Sequence, residues 1–497
     1  MLVFISAVVV ILAIIITMLH IIPSQHNIQF TNFMHGEEEE QRELIFPNAQ
    51  PVPNAPSSLF TGNGHRYATS KVKWNDVFAQ NQPFLFRNLH MIENWGAVKK
   101  WNPTVLASKW KNMKVHVTNS STVRMLSMIQ PYGRAKGLGW NSAWDEKILS
   151  GQKFFLTASK TNRTNRTKQW MYLFAPVEDL PQNLHADFGQ LHDLGPAQTG
   201  TGSTSSSRGI DSAGFWAGPP GISSPLHYDA AHNVYVQLFG HKRFLLFPSN
   251  VSHMLYCHSR LHPSTRSSHI NVRSVAAHRF PAFEQAMDAQ TLHPLEVVLG
   301  RGDVLYLPPY MWHRASVIGK QPSMSLAVYS TSTIMEKYDV LKSYPVPIDG
   351  KWLWSRRVAG LQIYTCALAK MMFDSATTTD CVKWFRTVLE QRYHPMFHDP
   401  ASDNIMLGWK EWNHRQRRFF LWKTNEISVP IQVKRQLVQH AQTLKKQLMS
   451  KSGLLEKVTP EIWNIEIISL VEDIVNYVLG TEYVEPFFRW VVGELKW

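Results

Sequence analysis

In the string SPLHYDAAHNVYVQLFGHKRFLLFP (224–248), His227 and Asp229 stand two residues apart. On an extended chain such residues project from the same face, so an imidazole and a carboxylate can converge on one ion. A second histidine from a distant strand would complete two nitrogens and one oxygen on one face of an octahedron. That set leaves three positions open and suits non-haem iron(II) chemistry with dioxygen. His313 ends the string GRGDVLYLPPYMWH (300–313), delivered by a turn at Gly302-Asp303, a strand and a rigid Pro308-Pro309 bend. His-x-Asp alone says little: ten of the 22 histidines lie between 225 and 315, and a lone histidine is more often packed or at the surface than a ligand. The surroundings carry the signal. A strand rich in aromatic and β-branched residues follows the pair. Gly240-His241-Lys242-Arg243 then leads into another, where Lys242 can carry a point charge into a barrel mouth and hold an anion.

These residues need a β framework to meet. The runs FLFRNL, KVHVT, KFFLTA, QWMYLFA, NVYVQLFG, KRFLLFP, DVLYLP and MSLAVYS are short, alternating or wholly apolar, and bounded by turn residues. That spacing predicts a β-sandwich or barrel. After Ser332 the period changes. Residues 433–449 and 460–479 have helical spacing, with Pro460 where a first helical turn tolerates it, so the C-terminal third reads as mainly helical. No internal repeat is evident.

Composition bounds the rest. The chain has 497 residues, 44% of them hydrophobic, with 18 Trp, 25 Phe and 15 Tyr, which excludes wholesale disorder and supplies a sizeable core. Three cysteines, Cys257, Cys366 and Cys381, exclude a disulfide scaffold, and no CxxC pair exists to hold zinc. Cys366 and Cys381 are expected to be small buried hydrophobes. Residues 1–22 form an apolar run long enough to span a bilayer as a helix, without the small-x-small exit of a cleaved signal peptide. They predict a single-pass anchor in the endoplasmic reticulum or another secretory-pathway membrane. Orientation is left open, because no Lys or Arg flanks the run before Arg42. Sequons at Asn119, Asn162, Asn165 and Asn250 permit a lumenal body. Residues 23–63 are polar and Pro/Asn-rich and read as a flexible linker. The stretch GPAQTGTGSTSSSRG predicts a disordered surface loop near 195–213 within the main domain.

The pattern SPLHYD…N…GHKRFLLFP…GDVLYLPPYMWH resembles the JmjC-type, cupin-like family of Fe(II)- and 2-oxoglutarate-dependent oxygenases. Within it, the likeness is to the class typified by the asparaginyl hydroxylase of hypoxia-inducible factor. It covers residues 64–332, including QPFLFRNLHMIENWGAVKKW (82–101), which is similar to the family's entry strand and following helix. The resemblance implies a double-stranded β-helix (jelly-roll) over 64–332 and a helical region over 333–497. It makes His227, Asp229 and His313 the iron ligands and pairs Lys242 with the distal carboxylate of 2-oxoglutarate. It brings Ser224 and Tyr172 to the same carboxylate, and Asn233 near the cosubstrate and a metal-bound water. Fe(II), 2-oxoglutarate and O₂ would be required and ascorbate supportive. One departure stands out. Where relatives of this class carry Asn or Ser before an aromatic pair, this chain reads Ala327-Val328-Tyr329-Ser330, which puts one polar cosubstrate contact in doubt.

The implied reaction couples decarboxylation of 2-oxoglutarate, to succinate and CO₂, with oxidation of a positioned C–H bond. Hydroxylation of a polypeptide side chain is the first expectation. Lysine demethylation and a catalytically silent JmjC-like binding module are the alternatives; no zinc-bound reader module accompanies the barrel. Helices after such barrels dimerise or close the substrate cleft, which raises a homodimer as a partner, with packing inside the monomer as the plainer role. Residues 61–350 hold 30 basic and 17 acidic residues, net +13 of the chain's +14. The positive field therefore belongs to the barrel, where it draws in a dianionic cosubstrate. A nucleic acid, as in an RNA-base hydroxylase, is the less favoured reading of that charge.

Overall fold

The computed structural model describes residues 46, 48–61, 71–118, 145–160, 170–195, 211–262, 264–272, 279–372, 378–397, 429–450 and 459–494. The anchor expected at 1–22, the loop residues 196–210 and the sequons at Asn119, Asn162 and Asn165 lie outside them. Among the described residues no helix is long and apolar enough to cross a membrane. Residues Ile45–Trp497 form one compact unit.

In chain order the strands are β1 (Gln50–Pro51), β2 (Phe84–Phe86), β3 (Met113–Thr118), β4 (Asp145–Leu149), β5 (Trp170–Pro176), β6 (Ser212–Gly218), β7 (His227–Tyr228), β8 (His232–Phe239), β9 (His241–Phe247), β10 (Leu295–Leu299), β11 (Val304–Leu307), β12 (Trp312–Ile318) and β13 (Ser323–Ser330). They form two sheets, ordered β1-β10-β9-β12-β7 and β2-β11-β8-β13-β6-β5-β3-β4. The alternation of β8 and β13 explains how the sheets pack. Val234, Val236, Leu238, Leu326 and Val328 face outward, into one core with Trp74, Trp101 and Leu106. Tyr235 and Ala327 face the other way and join Phe244, Leu246, Val297, Leu299, Leu305 and Leu307 between the sheets. The result is the jelly-roll expected from the sequence. Gly240 links β8 to β9 at φ +69, and a Cβ there would lie 2.3 Å from Pro322 O, so the turn needs glycine.

Helices α1 (Trp74–Ala79), α2 (Gly96–Lys100), α3 (Pro103–Lys109) and α4 (Gly151–Lys160) cover the outer face of the larger sheet. Asn102 caps α3, its Oδ1 accepting from Val105 N at 2.9 Å, with Pro103 in the first turn. Helix α4 overturns one expectation, because it contains KFFLTA, read above as a strand. Phe154, Phe155 and Ala158 are buried while Lys153, Leu156 and Thr157 are exposed, a helical period that a short apolar run conceals.

Of the flexible linker expected over 23–63, residues 46 and 48–61 are described, and they pack on the barrel. Gln50 and Pro51 pair in parallel with Leu295 and Glu296 of β10, Val52 is buried, and the Phe46 ring lies 5.3 Å from that of Phe247. Backbone pairing needs no apolar pattern, so the polar composition hid it. At the far edge of the predicted loop, Ser212 and Ala213 already belong to β6.

Beyond the barrel, α5 (Thr333–Ser343), α6 (Trp354–Met372), α7 (Thr378–Val388), α8 (Ile431–Ser450), α9 (Pro460–Leu479) and α10 (Val484–Val491) enclose a second core. Thr459 caps α9 and Pro460 opens it. Cys366 and Cys381 are not separate buried hydrophobes. They form a disulfide between α6 and α7, with Cα atoms 5.6 Å apart, and Cys257 is the free, buried thiol. The packing of α6 beside α7 brings the two together, which spacing alone does not reveal.

Candidate metal centre

β7 and β12 are neighbours in the smaller sheet, and His227 and His313 are direct cross-strand partners. Their ring centroids lie 4.2 Å apart. Asp229 follows β7, and His313 Nε2 is 3.8 Å from Asp229 Oδ2. One ligand atom from each of the three residues lies within 4.8 Å of the other two. Two backbone carbonyls set the imidazoles. His227 Nδ1 lies 2.9 Å from Pro225 O and His313 Nδ1 lies 3.0 Å from Met311 O. Each Nδ1–H can donate to its carbonyl, which leaves each Nε2 lone pair for a cation. Burial, and then the neighbouring His227, hold the His313 imidazole below its ordinary value, so its Nε2 is unprotonated. The His313–Asp229 separation is therefore no ion pair. Two imidazole nitrogens and one carboxylate oxygen suit a divalent iron-type ion.

Asn233, on the inward face of β8, donates from Nδ2 to Asp229 Oδ2 at 3.1 Å. Its own Oδ1 is buried without a hydrogen-bond partner. Lys242, at the start of β9, is 2% exposed. Its Nζ lies 2.5 Å from Tyr235 Oη and 2.9 Å from Ser325 Oγ, and these two hydroxyls also bond each other. Among the described residues no carboxylate pairs with Lys242, and burial lowers its ammonium to about 7. A buried cation beside two hydroxyls and no counter-charge fits an anionic ligand such as a carboxylate.

Tyr172, on β5, is buried against Ile222 and Val317, and Val317 is the register partner of Lys242. That places Tyr172 beside the lysine. Burial, followed by the Tyr172 phenol, pushes the Tyr235 phenol well above its ordinary value. Ser224 is differently engaged. Its Oγ accepts from Ala315 N at 3.0 Å and its N–H donates to Ala315 O at 2.9 Å, which zips it to β12 and leaves its hydroxyl proton and one lone pair for another partner.

The departure at Ala327 is answered by its neighbours. Ala327 faces Tyr235 across the β8–β13 pairing, and the hydroxyl near Lys242 comes instead from Ser325, two residues earlier on the same face. Tyr235 and Ser325 were missed from sequence, although alternation supplied the signal: Tyr235 is two residues from Asn233, and Ser325 two from Ala327.

Residues 69–331 match the cupin-like domain family. The chain is 35% identical over 98 residues to JmjC domain-containing protein D of Dictyostelium discoideum, covering 20% of each protein. It is 28% identical over 192 residues to lysine-specific demethylase JMJ30 of Arabidopsis thaliana, covering 38% of this chain and 39% of that one. It is 27% identical over 258 residues to Jumonji C domain-containing protein 5 of Drosophila melanogaster, covering 51% and 55%. The matches thus span little more than half the length of these relatives at most.

Proposed function

The chain belongs to the cupin-like family, with JmjC-domain relatives, and from that premise we propose that it is an Fe(II)- and 2-oxoglutarate-dependent oxygenase that hydroxylates a polypeptide side chain. The observation that carries this reading is the buried Lys242 ammonium, which meets no carboxylate among the described residues, inside the same barrel as the His227–Asp229–His313 cluster. Bound there, iron(II) would supply oxidation coupled to decarboxylation of 2-oxoglutarate. The chain's own residues hold and orient. His227 and His313 offer Nε2 atoms fixed by the Pro225 and Met311 carbonyls, and Asn233 fixes the Asp229 carboxylate. Lys242, with the Tyr235 and Ser325 hydroxyls, meets the far carboxylate of the cosubstrate. Leu246, Leu305 and Leu307 keep the interior dry, which strengthens each of these contacts.

A second reading is lysine demethylation, supported by the likeness to the Arabidopsis demethylase. Location in the secretory pathway is supported by the Cys366–Cys381 disulfide, since such bonds persist in oxidising compartments. The full chain with Fe(II), ascorbate and 2-oxoglutarate is expected to release succinate, and a His227→Ala/Asp229→Ala variant is not. Equal, near-zero release from both would sink the oxygenase reading. Mass spectrometry of peptide arrays then separates gain of one oxygen atom from loss of a methyl group.

A further inference from the structure

We propose that Glu466, on α9, is a positioning residue for the metal centre, acting through Tyr310 on the main chain of Asp229. The inference rests on reading His227, Asp229 and His313 as metal ligands. Asp229 lies just past the two-residue strand β7, between β7 and β8. Two side contacts grip its segment: Tyr310 N donates to Asp229 O at 2.7 Å, and Ser332 Oγ donates to Ala230 O at 2.6 Å.

Tyr310 makes its contact from an unfavourable backbone. Its φ is +61, a left-handed conformation that strains a bulky residue. Two side-chain interactions hold it there. The Tyr310 ring stacks on Tyr228, the neighbour of both His227 and Asp229, with centroids 5.2 Å apart. Its hydroxyl donates to Glu466 Oε1 at 2.6 Å. Tyr310 is 0% and Glu466 5% exposed, so water cannot replace that bond.

Glu466 also faces a buried counter-charge, the Arg266 guanidinium. Ile462, Ile465, Ile467 and Ile468 around it on α9 are all buried, and an acidic side chain among them is costly unless its oxygens are used. One of those oxygens fixes the Tyr310 hydroxyl. A helix from the C-terminal region thereby sets the backbone from which a ligand carboxylate projects. Displacing that backbone by a fraction of an ångström moves the carboxylate oxygen relative to both Nε2 atoms.

The test is Mn(II) affinity of the full chain, followed by the EPR signal of free Mn(II), without cosubstrate or turnover. Tyr310→Phe and Glu466→Leu are expected to weaken binding about tenfold, the usual scale for residues that orient metal ligands. Glu466→Gln keeps an acceptor for the tyrosine and should stay within about threefold of wild type, a rescue that general destabilisation would not produce. If Glu466→Leu does not fold, Tyr310→Phe, which deletes one oxygen atom, decides. Wild-type affinity in a folded Tyr310→Phe protein overturns the proposal and leaves the metal reading standing. Absence of Mn(II) binding by the wild type overturns both.

Discussion

Asn233 Nδ2 donates to Asp229 Oδ2 at 3.1 Å, while the other end of the same amide, Oδ1, is buried and unpartnered. The two ends have opposite energetic consequences. Removing the amide loses one hydrogen bond but also relieves the desolvation cost of the orphaned oxygen, so stability changes little. Asp229, however, loses the donor that orients it. Asn233→Ala is expected to melt within a few degrees of wild type yet bind Mn(II) about tenfold more weakly. Unchanged Mn(II) affinity would show that Asn233 does not orient the ligand.

Lys242 gives a pH dependence with a definite sign. Burial lowers its folded value to about 7, whereas an unfolded lysine titrates near about 10.4. Below about pH 7 both states are protonated, and the full cost of burying the ammonium opposes folding. Between about 7 and about 10 the unfolded chain binds the extra proton, so this residue's contribution makes the fold more stable as pH rises. Lys242→Met should flatten that rise in urea-midpoint measurements. Cosubstrate binding runs the other way, because a dianion selects the charged ammonium. The Kd for 2-oxoglutarate should increase as pH climbs above about 7. A pH-independent Kd over that range would remove Lys242 from the cosubstrate site.

The convergence of His227, Asp229 and His313 was legible because its signal is local. His227 and Asp229 share a face by strand periodicity, and the Pro308-Pro309 bend announced the delivery of His313. Lys242 followed from its place after the Gly240 turn. The hydroxyls around it were not legible as a set. Tyr235 and Ser325 meet across the pairing of β8 with β13, and which residues of two distant strands face each other has no local sequence signature. Helix α4 failed for a simpler reason, since Phe154-Phe155-Leu156 fits either period over so short a run.

Cys366 and Cys381 close a segment with a sequence separation of 15, for which loop-closure entropy predicts about 3 kcal/mol. Cys366→Ser should lower the melting temperature by several degrees under oxidising conditions and leave it unaffected in reductant. Alkylation of the denatured, unreduced protein should label Cys257 alone. Labelling of all three thiols in material from an oxidising compartment would contradict the pairing.

The buried carboxylate of Glu472, on α9, has a consequence for the order in which the molecule assembles. It is 0% exposed and accepts from Arg260 N at 2.8 Å, from Tyr393 Oη at 2.7 Å and from the Arg392 guanidinium. The first of these donors belongs to the segment between β9 and β10, the other two to the turn after α7. A ribosome delivers Arg260 long before Glu472. During synthesis the segment between β9 and β10 must therefore wait for a helix made much later. The barrel strands can pair as they emerge, but the segment after β9 finds this carboxylate only when α9 arrives, and a nascent chain stalled before that helix leaves the second core open to a chaperone.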